Sequence, residues 1–161
     1  MISLESQVLE RHLSFFNGKS VLFAGGISDN FPQTLASKCQ SIQIWSCYFD
    51  YARTQSAVNF SVEFQGQADL IVYYWTKNKQ EVNFQLLQLL AQAPIDQEIL
   101  IIGENRCGVR SVEKTLELYG EIAKIDSVRR CGLYHFSLQN KPHFELKNFW
   151  KTYQQIIPIY H

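Results

Sequence analysis

The sequence predicts an α/β domain, doubly wound, with a mostly parallel sheet and an antiparallel hairpin at one edge. Short, nearly continuous apolar runs at 20–24, 70–75 and 98–102 have the pattern of strands buried on both faces. Helical apolar spacing follows the second and third of these runs, and strands alternating with helices build a parallel sheet covered on both sides. Two further runs, 122–128 and 133–138, lie close enough to form a hairpin. With 161 residues, 46% of them apolar, the chain can build one core and is too short for two ordinary domains.

The elements follow in order. Residues 4–16 place Leu4, Val8, His12 and Phe16 on one helical face, with Ser3 as cap and Asn17-Gly18 as stop. His12 on that face reads as a partly buried core residue, not a ligand. The strand at 20–24 stops at Gly25-Gly26, and Pro32 opens a short helix to about residue 38. A second strand covers 42–47, and strict alternation marks a half-buried third at 58–64. After the strand at 70–75, Val82, Leu86, Leu89, Leu90 and Ala93 give a helix closed by Pro94. The strand at 98–102 leads through a polar loop, 103–110, into a helix holding Val112, Leu116 and Tyr119 and stopped by Gly120. Phe149, Trp150 and Tyr153 mark a last helix.

Composition narrows the function. Fifteen Lys and Arg balance fifteen Asp and Glu, so there is no chain-wide basic field, and any basic site must come from local clustering. Charged residues at 19% and aromatics at 14% exclude a disordered chain. No apolar run approaches the roughly 20 residues that span a bilayer. Residues 1–10 lack the basic-then-apolar pattern of a secretory signal. The expectation is a soluble, cytoplasmic protein without membrane or DNA as partner. Cys39, Cys47, Cys107 and Cys131 form no C-x-x-C pair and the histidines are scattered, so neither a metal site nor a disulfide framework is expected.

Open α/β sheets place their sites outside the carboxyl ends of the strands. After the first strand stands G-G-I-S-D-N, with two adjacent glycines where a dinucleotide loop needs G-x-G-x-x-G. After the second come Trp45, Ser46 and Cys47, where a ribose-binding acid would stand; Asp50 is nearby. After the fourth comes Tyr73-Tyr74-Trp75-Thr76-Lys77-Asn78-Lys79, aromatic rings beside two lysines. Such rings serve either as stacking surfaces for exposed bases or as strand-end core, and Trp75 is expected to be structural. After the fifth strand, Arg106 and Arg110 offer forked contacts to phosphate or carboxylate, unless Glu104 pairs with one of them. Cys107 sits beside these arginines, which can lower a thiol pKa, but no histidine is placed near it, and an incidental or buried thiol is the better reading. Arg129-Arg130 open the terminal hairpin. Lys77, Lys79, Arg106, Arg110, Arg129 and Arg130 are thus six of the fifteen basic residues, gathered in three loops, two of them expected at one sheet edge. No catalytic constellation is present: neither G-x-S-x-G, a Walker lysine nor H-E-x-x-H occurs.

Three segments carry a resemblance. They are Tyr73 through Lys79, then Gly103-Glu104-Asn105-Arg106-Cys107-Gly108-Val109-Arg110-Ser111, then Asp126-Ser127-Val128-Arg129-Arg130-Cys131-Gly132-Leu133-Tyr134. Together with Val8-Leu9-Glu10-Arg11-His12, Leu22-Phe23-Ala24-Gly25 and Phe149-Trp150, they resemble the N-terminal half of the bacterial ribosomal RNA small subunit methyltransferase C family. The match covers nearly the whole chain. The resemblance implies a Rossmann-like methyltransferase fold whose cofactor site has degenerated. It implies a full-length enzyme that uses S-adenosylmethionine to methylate the exocyclic amine of a guanine in 16S rRNA of the small ribosomal subunit. In that family the C-terminal half holds the D-x-G-C-G-x-G and N-P-P-F motifs, and neither occurs in these 161 residues. Residues 1–161 are therefore expected to be one N-terminal methyltransferase-like domain, without the catalytic domain, without catalytic residues and without cofactor of its own. The resemblance sets Phe23-Ala24-Gly25-Gly26 where the cofactor loop was, with Tyr74 for the asparagine and Trp75-Thr76 for the prolines of the amine-gripping motif.

Lys77, Asn78, Lys79, Arg106, Arg110, Arg129 and Arg130 are then candidate contacts to 16S rRNA or to the catalytic domain. A dead half that helps place RNA, a module that only braces the catalytic domain, and an independent small-molecule enzyme using Gly25-Gly26 are the three readings. The failed glycine pattern and absent ribose acid weigh against the third.

Overall fold

In a computed structural model of the chain, residues 2–46, 58–60 and 68–142 are described. They contain seven strands: β1 (Ser20–Gly25), β2 (Ser41–Ser46), β3 (Val58–Phe60), β4 (Leu70–Tyr74), β5 (Glu98–Glu104), β6 (Gly120–Val128) and β7 (Cys131–Leu138). All belong to one sheet of order β3-β2-β1-β4-β5-β7-β6, in which β7 alone runs antiparallel to its neighbours. The doubly wound sheet and its hairpin agree with the sequence pattern. The expected strand end at 61–64, Cys47, Asp50 and the last helix around Phe149, Trp150 and Tyr153 lie outside the described residues.

The apolar runs become central strands because each of their side chains finds a covered face. Every residue of β4 is buried, and all of β1 after Ser20. On one face Leu22, Ile71, Ile99 and Phe136 pack against α3 (Lys79–Gln92) and α4 (Val112–Leu116). On the other, Val21, Phe23, Val72 and Leu100 pack against α1 (Leu4–Leu9) and α2 (Phe31–Thr34). Phe23 stacks on Phe16, and Phe31 meets both edge-on, with centroids about 6 Å apart. Each such buried side chain contributes roughly 1.5–3 kcal/mol of transfer free energy, so the two apolar faces dominate the fold. Helix α3 starts where Asn78 Oδ1 accepts the Glu81 N–H at 3.0 Å and ends at Ala93, which is extended before Pro94.

Two helices differ from the sequence expectation in length. The helix expected at 32–38 spans Phe31–Thr34, and the one expected to reach Tyr119 ends at Leu116. The segment 4–16 also departs from one continuous helix. After α1 the chain tightens into a 3₁₀ stretch, Glu10–Phe16, broken at His12 (φ −131°, ψ 39°). The break turns His12 and Arg11 toward β6, where Nε2 of His12 and Nε of Arg11 lie 2.8 and 2.9 Å from one oxygen of Asp126. His12 is partly buried as expected, but it is held by a carboxylate rather than by core packing alone.

The β6–β7 ladder carries a bulge between Lys124 and Asp126. Its turn is the two-residue loop Arg129-Arg130, with φ of 55° and 64°, the left-handed geometry of a type I′ hairpin. Glycine and asparagine reach that geometry readily; two arginines do so at a cost of roughly 1–2 kcal/mol per residue.

The His12 hydrogen bond, opposed by partial burial and aided by Arg11, holds the Asp126 carboxyl below the usual carboxylate range. A carboxyl depressed in the folded state stabilises above its unfolded pKa of about 3.9, and that contribution disappears as pH falls through the folded value. Asp126→Asn should therefore lower the urea midpoint at pH 7. Urea titrations across a pH series should show the gap to the parent chain closing below about pH 4; a gap constant down to pH 2 would contradict the assignment.

Candidate nucleic-acid interface at the carboxyl edge of the sheet

Strands β1 and β4 end beside each other, and their ends are in contact. Gly25 has φ +89°, and a Cβ there would lie 2.3 Å from the Tyr74 carbonyl oxygen. A Cβ on Gly26 would lie 2.4 Å from Cγ2 of Thr76, and its N–H donates to the Tyr74 carbonyl at 2.8 Å. Asp29, farther along this loop, accepts the N–H of Ser3 at 2.8 Å and that of Phe31 at 3.1 Å. In a nucleotide loop, glycines leave room that the ligand enters. Here the chain's own Tyr74 backbone and Thr76 methyl occupy that room.

The rings that follow are all inside. Tyr73, Tyr74 and Trp75 are 0%, 1% and 4% exposed. Tyr73 donates its hydroxyl to Gln85 of α3 at 2.5 Å, and the Tyr74 hydroxyl lies 2.7 Å from Oγ of Ser6 in α1. Trp75 donates its indole N–H to the Cys107 carbonyl at 3.0 Å. The strand-end core reading holds for all three, and the stacking reading is corrected: alternation along β4 sends each ring under a helix or loop, with no face left open.

The cations are outside. Lys77, Lys79, Arg106, Arg110, Arg129 and Arg130 are all exposed. Lys77 follows the end of β4, and Arg106 and Arg110 lie in 3₁₀ turns, Asn105–Cys107 and Val109–Ser111, just past β5. Since β7 is antiparallel between β5 and β6, the carboxyl end of β6 reaches the same edge: Glu104 pairs with Cys131, and Cys131 with Val128. The Asn105 N–H donates to the Arg130 carbonyl at 2.8 Å, which ties the hairpin turn to the loop after β5. All three loops thus share one rim, where sequence alone placed two. Asn78, by contrast, sits at that rim with its side-chain oxygen engaged in the α3 cap.

Electrostatics separates the group. Arg106 forms an ion pair with Glu104, so the open choice of partner for Glu104 falls on Arg106. Among the described residues no salt bridge holds Lys77, Lys79, Arg110, Arg129 or Arg130. Burial, then Glu104, pushes the Cys107 thiol up despite Lys77 and Arg106, in keeping with the incidental thiol expected from the sequence. Burial likewise pushes Cys131 up to about 12. Asn105, Arg106 and Arg130, with Glu104 and with Leu4 at the start of α1, line a cleft of about 430 Å³. Leu4's part here was hidden in the sequence, where it reads only as one apolar position of a helix. Among the described residues no group of His, Cys, Asp and Glu is placed to hold a metal ion, and no helix is long and apolar enough to cross a membrane.

This strand order, with its one reversed strand next to the edge, defines a Rossmann-like methyltransferase fold. Residues 6–153 match the family described as methyltransferase small domain N-terminal, and the chain belongs to that family. Over 154 residues it is 96% identical to ribosomal RNA small subunit methyltransferase C of Haemophilus influenzae strain PittEE. That match covers 96% of this chain and 47% of the relative, so the chain spans about half the length of the curated relatives it matches. Among solved structures, a T. thermophilus 16S rRNA N2 methyltransferase in complex with AdoMet and guanosine aligns with TM-score 0.62 and 12% identity, covering 80% of this chain and 37% of that one. The N-methyltransferase NodS of Bradyrhizobium japonicum aligns with TM-score 0.58 and 15% identity, covering 84% and 94%.

Trp75→Ala should cost roughly 3–5 kcal/mol, because an aromatic ring leaves a sealed core. Trp75→Phe should cost about 1 kcal/mol, chiefly the lost hydrogen bond to Cys107. Thermal unfolding checks both; an unchanged midpoint for the alanine variant would mean the ring is not structural.

Proposed function

We propose that the chain is the N-terminal, catalytically inactive half of an S-adenosylmethionine-dependent 16S rRNA (guanine-N2-)methyltransferase, acting in the cytoplasm on the small ribosomal subunit. Residues 1–161 form one methyltransferase-like domain that helps position rRNA and supports a C-terminal catalytic domain. The observation that carries this reading is the rim: three loops and the first residue of α3 bring six exposed cations to one edge, with only Arg106 in a described salt bridge. Phosphate contacts from such side chains orient RNA without reading its sequence. The names and lengths of the relatives support the enzyme to which this half would belong.

The closed β1 loop supports inactivity. Gly25 and Gly26 face the Tyr74 carbonyl and Thr76, and Asp29 is engaged by backbone N–H groups, so these residues do not fit an adenosyl cofactor. The S-adenosylmethionine of the full-length enzyme belongs, in this reading, to the other half, and no chemical step runs through this one. A second reading, a module that contacts only its own catalytic domain, is favoured by the tie between Asn105 and Arg130, which makes part of the rim rigid enough for protein docking.

Isothermal titration of S-adenosylmethionine into the chain should give no binding heat, and the chain alone should transfer no labelled methyl to undermethylated small subunits. Either activity would overturn the inactive assignment. Lys79→Ala and Arg110→Ala should weaken RNA binding alike for matched and scrambled sequences. Each should flatten the plot of log K against log salt by roughly 0.7–1 unit. Stability should change by no more than about 1 kcal/mol. Unaltered RNA binding together with lost retention of the catalytic domain would favour the second reading.

A further inference from the structure

We propose that the cleft between α1 and the Arg129-Arg130 turn receives one unpaired nucleotide of an RNA strand, its phosphodiester held by Arg130 and Arg106 and its sugar and base against Leu4. This rests on the RNA-positioning reading and assigns it a specific subsite. The cleft, about 430 Å³, lies within the roughly 300–1,000 Å³ of small-ligand sites, whereas a lone carboxylate side chain would leave it mostly empty. Its charges are two guanidiniums and one carboxylate, Glu104, which is paired with Arg106. The net single positive charge matches a chain-internal phosphodiester better than a dianionic terminal phosphate.

The site is also built in advance. Glu104 pairs with Arg106, and the Asn105 N–H donates to the Arg130 carbonyl at 2.8 Å, which holds the turn's backbone. Asn105 also lines the cleft, between Glu104 and Arg106. Leu4, 38% exposed, is one of the few large apolar side chains at the surface among the described residues, and it is the one apolar residue of the cleft lining. The turn adds an independent sign. Arg129 and Arg130 both hold φ above +50°, where Asn-Gly would sit without strain. Strain retained in the backbone tends to mark positions where the side chain is needed. Guanidinium planes also stack on exposed bases, so the absence of an open aromatic ring from the described rim is no obstacle.

Two variants keep the fold. Arg130→Gly suits a φ of +64° and should raise the thermal midpoint by roughly a few degrees. Leu4→Glu places an acid in the first turn of α1, where the helix dipole favours it. Binding is read by fluorescence anisotropy with an unstructured single-stranded RNA octamer, a duplex of equal length and a hexaglutamate peptide. Each variant should lose roughly tenfold in affinity for the single strand, the size of one charge-assisted contact, and little for the duplex, whose stacked nucleotides cannot enter. Equal losses on both RNAs would overturn the cleft in favour of general phosphate contacts, and tighter binding of the peptide than of the octamer would overturn it in favour of a protein partner. If both variants bind the octamer normally while Lys79→Ala and Arg110→Ala weaken it, the cleft falls and the RNA-positioning reading survives. If none of the four changes binding, both fall.

Discussion

Tyr73, Tyr74 and Trp75 leave β4 on alternating faces, and each carries its polar atom to a different element. Tyr73 reaches α3 through Gln85, Tyr74 reaches α1 through Ser6, and Trp75 reaches the loop after β5 through the Cys107 carbonyl. A buried hydroxyl or indole N–H without a partner would be destabilising, so the rings and those elements fix one another. The arrangement also accounts for the closed β1 loop. The Tyr74 carbonyl faces Gly26, and Thr76 follows one residue after Trp75, so the backbone that anchors the rings fills the space in front of the two glycines. The end of β4 is thus a junction at which α1, α3, the β1 loop and the loop after β5 meet.

The rim of cations depends on a second constraint, the direction of β7. The connection through α4 carries the chain back across the sheet, so β6 runs parallel to β5 and its turn comes out at the edge where β5 ends. Placing β7 between them sets Cys131 opposite Glu104 and brings the Arg130 carbonyl against the Asn105 N–H. Neutral overall charge then coexists with a rim where exposed lysines and arginines outnumber the acids.

Much of this fold is legible in the sequence because each central strand is a continuous apolar run, and that pattern has few other homes. Leu70 through Trp75 reads directly as a strand buried on both faces, and the six cations read directly as exposed residues past strand ends, although Lys79 opens α3. The insertion of β7 is not legible, because a hairpin has the same local pattern on either side of β5. The break at His12 is hidden for a related reason. Helical spacing runs through residues 4–16 without interruption, and only Asp126, more than a hundred residues away in sequence, supplies the partner that turns His12 outward. The burial of all three rings likewise depends on which elements cover the end of β4, and the engagement of Asn78 in a helix cap on where α3 begins. The upward shift of the Cys107 thiol follows first from its burial and only then from Glu104, and the covering elements that desolvate it cannot be read from the loop's local sequence.

The bulge in β6 has a consequence for solubility. β6 is nine residues long and lies at the outer margin of the sheet, with Ile125 partly exposed along it. A flat edge of that length offers a template on which another chain can extend the sheet. The extra residue at Ile125 breaks the regular spacing of donors and acceptors, and exposed Glu121 and Lys124 set charges along the same margin. Deleting Ile125 would restore an unbroken ladder and remove the irregularity that keeps neighbouring molecules out of register. The bulge thus acts as a guard against fibrous or amorphous self-association, located on the strand whose far end delivers the arginine turn to the rim.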